Sequence, residues 1–224
     1  AETPAEVGPY LRVRRFSPPL IFLLGRGIRV LQSLVGFKVS GIENIPDEYP
    51  FMLAPNHLSY TDPAVLGIAL PWRVFRRAFF VGYSAYFRGA ILGALGKMVR
   101  TVPIDQNRNL ELAMQAAAAG IRRGMVLGIF PEGGRSGDGS IKEFRRGAGI
   151  LARELETAIV PVGIWGTYEM WPREGSFRPH AAAVVFGKPI LYPTAGNTDP
   201  AEFMAIVRER VVALAAEAER LGRG

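Results

Sequence analysis

A chain of 224 residues without cysteine suffices for one domain with a self-supporting core, and it rules out disulfides, thiolate catalysis and cysteine metal sites. With only two histidines, a multi-histidine metal centre is excluded as well. A formal charge of +7 predicts attraction to nucleic acid, anionic lipid or phosphorylated substrates, and a mean hydropathy of +0.14 tilts that choice toward a membrane surface.

The opening Ala1–Glu6 lacks the basic region of a signal peptide, and no run reaches the roughly 20 uninterrupted apolar residues of a spanning helix. Over residues 18–37, Leu20, Leu24, Ile28, Leu31 and Val35 share one helical face, with Arg26, Arg29 and Ser33 opposite. Such a helix either lies on a membrane or packs on the domain with its arginines solvated, and Gly25 and Gly27 weaken it in both cases. The predicted division is an N-terminal membrane-associating segment over 1–36 and the main domain over 37–224.

Strands are predicted at 37–42, 51–54, 78–82, 98–104, 126–130, 159–165 and 182–186. A helix is expected to begin at Asp62–Pro63, with Asp62 as N-cap and proline in the first turn. The glycine-rich aromatic stretch 83–96 reads as a buried helix or as part of an acyl-chain groove. Further helices are predicted at 109–123 and 144–155. A final amphipathic helix is capped by Asp199–Pro200 and is expected to stop before Gly222. Alternating strands and helices make this an α/β domain with a mixed, mostly parallel sheet flanked by helices.

Two stretches carry chemistry. Asn56-His-Leu-Ser-Tyr-Thr-Asp62 puts a histidine and a carboxylate five residues apart after a strand. An imidazole that takes a proton from an alcohol needs one nitrogen as acceptor and a partner fixing the other as donor, and Asp62 suits that task. The second stretch, Phe130-Pro-Glu-Gly-Gly-Arg-Ser136, follows a strand. Its paired glycines expose amides able to cradle an anion, and Arg135 can fork onto two phosphate oxygens. Lys142, Arg145 and Arg146 add positive charge at the start of the next helix. The competing reading is a solvated turn in which Glu132 pairs with an arginine. No Gly-x-Ser-x-Gly elbow or P-loop is present, Gly147–Ala152 matches a dinucleotide pattern without the strand that should precede it, and no nucleic-acid motif accompanies the charge.

Together, Asn-His-x-x-x-x-Asp at 56–62 and Phe-Pro-Glu-Gly-Gly-Arg-Ser at 130–136 resemble the glycerophospholipid acyltransferase family, of the 1-acylglycerol-3-phosphate acyltransferase type. Phe144-Arg-Arg-Gly-Ala and Ile159-Val-Pro-Val162 match two further blocks, so that the resemblance covers residues 35 to 190. The chain departs from the family after Val102-Pro-Ile-Asp105, where Gln106 replaces the usual arginine and Arg108 is the nearest substitute. The resemblance implies acyl transfer from acyl-CoA or acyl carrier protein to lysophosphatidic acid, glycerol-3-phosphate or another lysolipid. In that scheme His57 is the general base and Asp62 orients it. Arg135, with Arg108, holds the acceptor phosphate, and Glu132 either binds glycerol hydroxyls or holds Arg135. Gly133, Arg145 and Arg146 line the same site. No metal or organic cofactor is expected. The expected partners are the two substrates and an anionic membrane surface, with no nucleic acid, and the expected location is peripheral or monotopic on the cytoplasmic face.

Overall fold

The computed structural model describes residues 36–83, 100–104, 110–193 and 198–224. The helix predicted over 18–37 falls almost entirely outside these residues, as do most of the stretch 83–96 and the candidate Arg108.

Seven strands form one sheet: β1 (Phe37–Ser40), β2 (Phe51–Pro55), β3 (Ala78–Tyr83), β4 (Thr101–Ile104), β5 (Val126–Gly128), β6 (Ile159–Trp165) and β7 (Ala182–Phe186). Their spatial order is β1-β7-β6-β2-β5-β3-β4. Each neighbouring pair is parallel except β6 with β7, so the predicted mixed, mostly parallel sheet is the one observed. The helices are α1 (Asp62–Ala69), α2 (Trp72–Phe75), α3 (Leu110–Arg122), α4 (Gly147–Glu154), α5 (Thr167–Met170) and α6 (Pro200–Arg223).

Because side chains alternate across a strand, each buried strand feeds two cores. Met52 of β2, Phe79 of β3 and Leu127 of β5 point to one face, where Ile121 of α3, Leu151 of α4 and Phe203 and Val207 of α6 cover them. Phe51, Leu53, Phe80 and Val126 point to the other, under Val65 and Leu66 of α1 and Val74 of α2. Helices on both faces hide strands that are apolar on both sides.

Several boundaries differ from expectation; β1, β4 and β5 are shorter than predicted, and three helix ends are set by local contacts. Helix α1 has Thr61 as its N-cap residue, with no side-chain cap bond, because the Asp62 carboxylate turns back to the loop before the helix. Helix α4 begins at Gly147 with Arg146 as N-cap, since the Arg145 amide is committed to the Pro131 carbonyl at 2.9 Å. Helix α6 runs through Gly222 to Arg223. That glycine lies under the Trp165 ring, where a Cβ would come within 2.3 Å of Cζ3, so it serves close packing rather than helix termination. Asp199 caps α6 as expected, its Oδ1 accepting from the Ala201 amide at 2.7 Å.

Candidate active site

β2 and β5 are adjacent and parallel, so the loops leaving their carboxyl ends emerge side by side. Open α/β sheets place ligands in that position. The 56–62 stretch leaves β2 and the 130–136 stretch follows β5, which brings two segments far apart in sequence into contact.

Asn56 is wholly buried and fastens the first loop to β6. Its Nδ2 donates to the Ile164 carbonyl at 2.9 Å, and its Oδ1 accepts from the Ile164 amide at 2.8 Å. The His57 ring is 17% exposed while Asp62 is fully buried. His57 Nδ1 lies 2.8 Å from Asp62 Oδ2. The same oxygen accepts from the amides of Leu58 at 2.6 Å and Ser59 at 2.7 Å. A carboxylate so anchored can only accept from Nδ1, which leaves the Nε2 lone pair of the neutral ring available to a proton.

The second loop encloses the histidine. Phe130 stacks on the imidazole with ring centroids 4.0 Å apart. Glu132 Oε1 accepts from the His57 amide at 2.7 Å, and the Ser136 amide donates to the His57 carbonyl at 2.8 Å. The other Glu132 oxygen accepts from the Lys142 amide at 3.0 Å. Both carboxylate oxygens thus bind backbone, and among the described residues Glu132 pairs with no arginine, so the expectation that it holds Arg135 gives way to a bond with backbone amides. Burial pushes its carboxyl above the ordinary value of 4.5, against the opposing pull of the His57 and Lys142 amides. The loop is no solvated turn either: Glu132, Arg135 and Ser136 are all buried. Farther along it, the Ser140 hydroxyl and amide, with the Ser136 hydroxyl, hold the Asp138 carboxyl down to about 2.

Gly133 adopts φ +70°, and a Cβ there would lie 2.6 Å from Arg145 Nε. Glycine satisfies both the backbone and the space. The Arg135 guanidinium lies over the Tyr60 ring, 3.3 Å from its centroid, and Lys142 Nζ donates to the Arg135 carbonyl at 2.8 Å. A cavity of about 220 Å³ opens here, lined by Glu132, Gly133, Gly134, Arg135, Lys142, Arg145 and Arg173. Arg146, exposed at the start of α4, is not among its walls.

The sequence reading therefore located His57, Asp62, Glu132, Gly133, Arg135 and Arg145 in one place. It missed Phe130 as the imidazole's stacking partner, Asn56 as a strand clamp, and Tyr60 and Arg173 at the cationic cavity. Phe130, Asn56 and Tyr60 lie inside the two motif stretches, whose membership was the available signal. Arg173 follows β6, with no local pattern to mark it.

Among the described residues no helix is long and apolar enough to cross a membrane. The chain is similar to the 1-acyl-sn-glycerol-3-phosphate acyltransferase of Bacillus subtilis, 24% identical over 81% of this chain and 88% of that protein. It also resembles the chloroplastic enzyme of that name, LPAT1, from Arabidopsis thaliana, 27% identical over 68% of this chain. Of that longer protein it spans only 43%. The crystal structure of the 1-acyl-sn-glycerophosphate (LPA) acyltransferase PlsC from Thermotoga maritima shares the fold, with a TM-score of 0.69 and 21% identity over 94% of this chain and 88% of that one. A family model described as Acyltransferase matches residues 36–165, a span that takes in β1 to β6 and both motif loops, and the chain belongs to that acyltransferase family.

Proposed function

We propose that this protein transfers a fatty acyl group from acyl-CoA or acyl carrier protein to the free hydroxyl of lysophosphatidic acid, giving phosphatidic acid. The observation that carries the reading is the juxtaposition of the Asp62-anchored imidazole, 2.8 Å from its carboxylate, with a cavity walled by Arg135, Lys142, Arg145 and Arg173. Glu132 accepts from the His57 amide and also lines that cavity, which supports reading a base for the hydroxyl beside a cradle for the phosphate. The names of the similar proteins favour the same acceptor.

His57 Nε2 takes the hydroxyl proton as the substrate oxygen bonds to the thioester carbonyl carbon. Collapse of the tetrahedral intermediate breaks the carbon–sulfur bond, and the imidazolium returns the proton to the departing thiolate. Asp62 stabilises the imidazolium meanwhile. The acceptor's own alcohol takes the place of an enzyme nucleophile, in keeping with a cysteine-free chain. Atoms and charge balance without a metal or organic cofactor. Arg135 orients the phosphate, and holding the reacting groups in place contributes several kcal/mol, part of the roughly 7–11 kcal/mol available to well-oriented reactions. In this reading the domain of 37–224 performs the chemistry. The 1–36 segment and the net charge of +7 bring it to an anionic membrane at the cytoplasmic face.

The test is acyl transfer by the purified full chain, with acyl-CoA and acyl carrier protein as donors and lysophosphatidic acid and glycerol-3-phosphate as acceptors. Replacing the base, His57→Ala, is expected to lower turnover by about 10²–10⁴-fold with unchanged circular dichroism. Undiminished turnover in that variant would sink the mechanism. Turnover of glycerol-3-phosphate but not of lysophosphatidic acid would change the acceptor and keep the chemistry.

A further inference from the structure

We propose that Arg173 is a binding residue for the acceptor, completing the anion cavity with a guanidinium delivered from the loop after α5. The assignment rests on the reading of the cavity as the acceptor's phosphate site.

Two neighbouring cations are engaged by protein groups, and a third packs over a glycine without a side-chain hydrogen bond of its own among the described residues. Lys142 Nζ donates to the Arg135 carbonyl, the Arg145 side chain lies across Gly133, and the Arg135 guanidinium rests on the Tyr60 ring. The cavity's carboxylate, Glu132, turns both oxygens to backbone amides rather than to Arg173. Arg173 also lines the cavity and is exposed, yet it forms no hydrogen bond or ion pair with any other described residue. Its neighbour Glu174 does not line the cavity.

The backbone that carries Arg173 is tied to the catalytic loop. Ser59 Oγ donates to the Trp171 carbonyl at 2.7 Å, and the Trp171 ring lies 5.3 Å from that of Tyr60. The Arg178 amide closes the loop onto the Met170 carbonyl at 2.8 Å. The Tyr60 ring thus contacts both the Arg135 guanidinium and the Trp171 ring at the base of the Arg173 loop. A phosphate monoester, with a charge near −2 and three acceptor oxygens, matches two guanidinium groups approaching from different elements. Bidentate geometry makes such contacts selective for phosphate over neutral headgroups.

The experiment is calorimetric titration of the full chain with short-chain lysophosphatidic acid below its micelle concentration. Wild type is compared with Arg173→Gln, Arg173→Lys and Arg210→Gln; the last removes the same charge from an exposed site on α6. Loss of a charge-assisted hydrogen bond is expected to raise Kd about tenfold in Arg173→Gln, with partial recovery in Arg173→Lys and wild-type affinity in Arg210→Gln. In turnover assays the same loss should appear in KM rather than kcat. A Kd within twofold of wild type in Arg173→Gln, or equal weakening in Arg210→Gln, would overturn the assignment, as would absence of binding by wild type. Binding that depends on Arg173 in a chain that transfers no acyl group would sink the acyl-transfer reading and leave the anion site standing.

Discussion

His57 is held by three kinds of contact: the Asp62 carboxylate at Nδ1, the Phe130 ring on its face and the Glu132 carboxylate at its amide. Asp62→Asn keeps an oxygen for the loop amides and loses the obligate acceptor that sets the imidazole tautomer. The expected result is a kcat lower by about 10⁴-fold, the scale seen when a serine protease loses its aspartate charge, with little change in thermal stability. A kcat within tenfold of wild type would show that Asp62 is only structural. Glu132 carries a pH signature. Its carboxyl is raised by burial, so between the ordinary 4.5 and the raised folded value the folded chain keeps a proton that the unfolded chain has released. Stability from this group is complete below that window and declines as pH rises through it. Glu132→Gln should remove that slope and cost about 1–3 kcal/mol throughout, because its amide nitrogen cannot accept from Lys142. Urea midpoints measured across the window test this, and parallel pH profiles for the two proteins would refute it.

At the level of elements, the site depends on strand adjacency and on close approach of helices. Asn56 pins the loop after β2 to β6, while Ser136 and Glu132 pin the loop after β5 to His57. Both loops are thereby referenced to the rigid centre of the sheet. The long helix α6 can lie against β6 because Gly163 has no side chain: a Cβ there would sit 2.2 Å from the Leu214 carbonyl carbon. Gly149 on α4 does the same for the start of α6, where a Cβ would meet the Pro200 carbonyl oxygen at 2.6 Å. Since both obstacles are backbone, Gly163→Ala must push helix and strand apart. The expected cost is about 1–3 kcal/mol, typical of overpacking, read as a lowered denaturation midpoint. No shift in midpoint would mean that α6 can retreat freely.

Across the whole molecule, the net charge of +7 favours an anionic surface, and each basic residue near such a membrane contributes about 1 kcal/mol. Sedimentation with vesicles should show the full chain bound to anionic lipid at low salt and released as ionic strength rises toward about 1 M, where screening shortens to about 3 Å. Binding to neutral vesicles that salt leaves unchanged would assign attachment to apolar contacts instead. The cationic cavity opens at the carboxyl ends of the central strands, so in the proposed reading an acceptor phosphate and anionic headgroups would be drawn by the same sign of charge.

The seven strands, the α/β class and the pairing of His57 with Asp62 were legible in the chain alone, because short continuous apolar runs, glycine–proline punctuation and a five-residue spacing are local properties. Boundaries were less legible where a side chain answers a distant partner. Asp62 reads as a helix cap yet turns back to the Leu58 and Ser59 amides, and Gly222 reads as a helix stop yet makes room for Trp165. Contacts across the fold show that Glu132 braces two backbones, that Phe130 and Tyr60 support the imidazole and the Arg135 guanidinium, and that Arg173 stands in the same cavity. Those relations arise from the order β6-β2-β5, which sets loops distant in sequence side by side, and no spacing within a single stretch encodes that order.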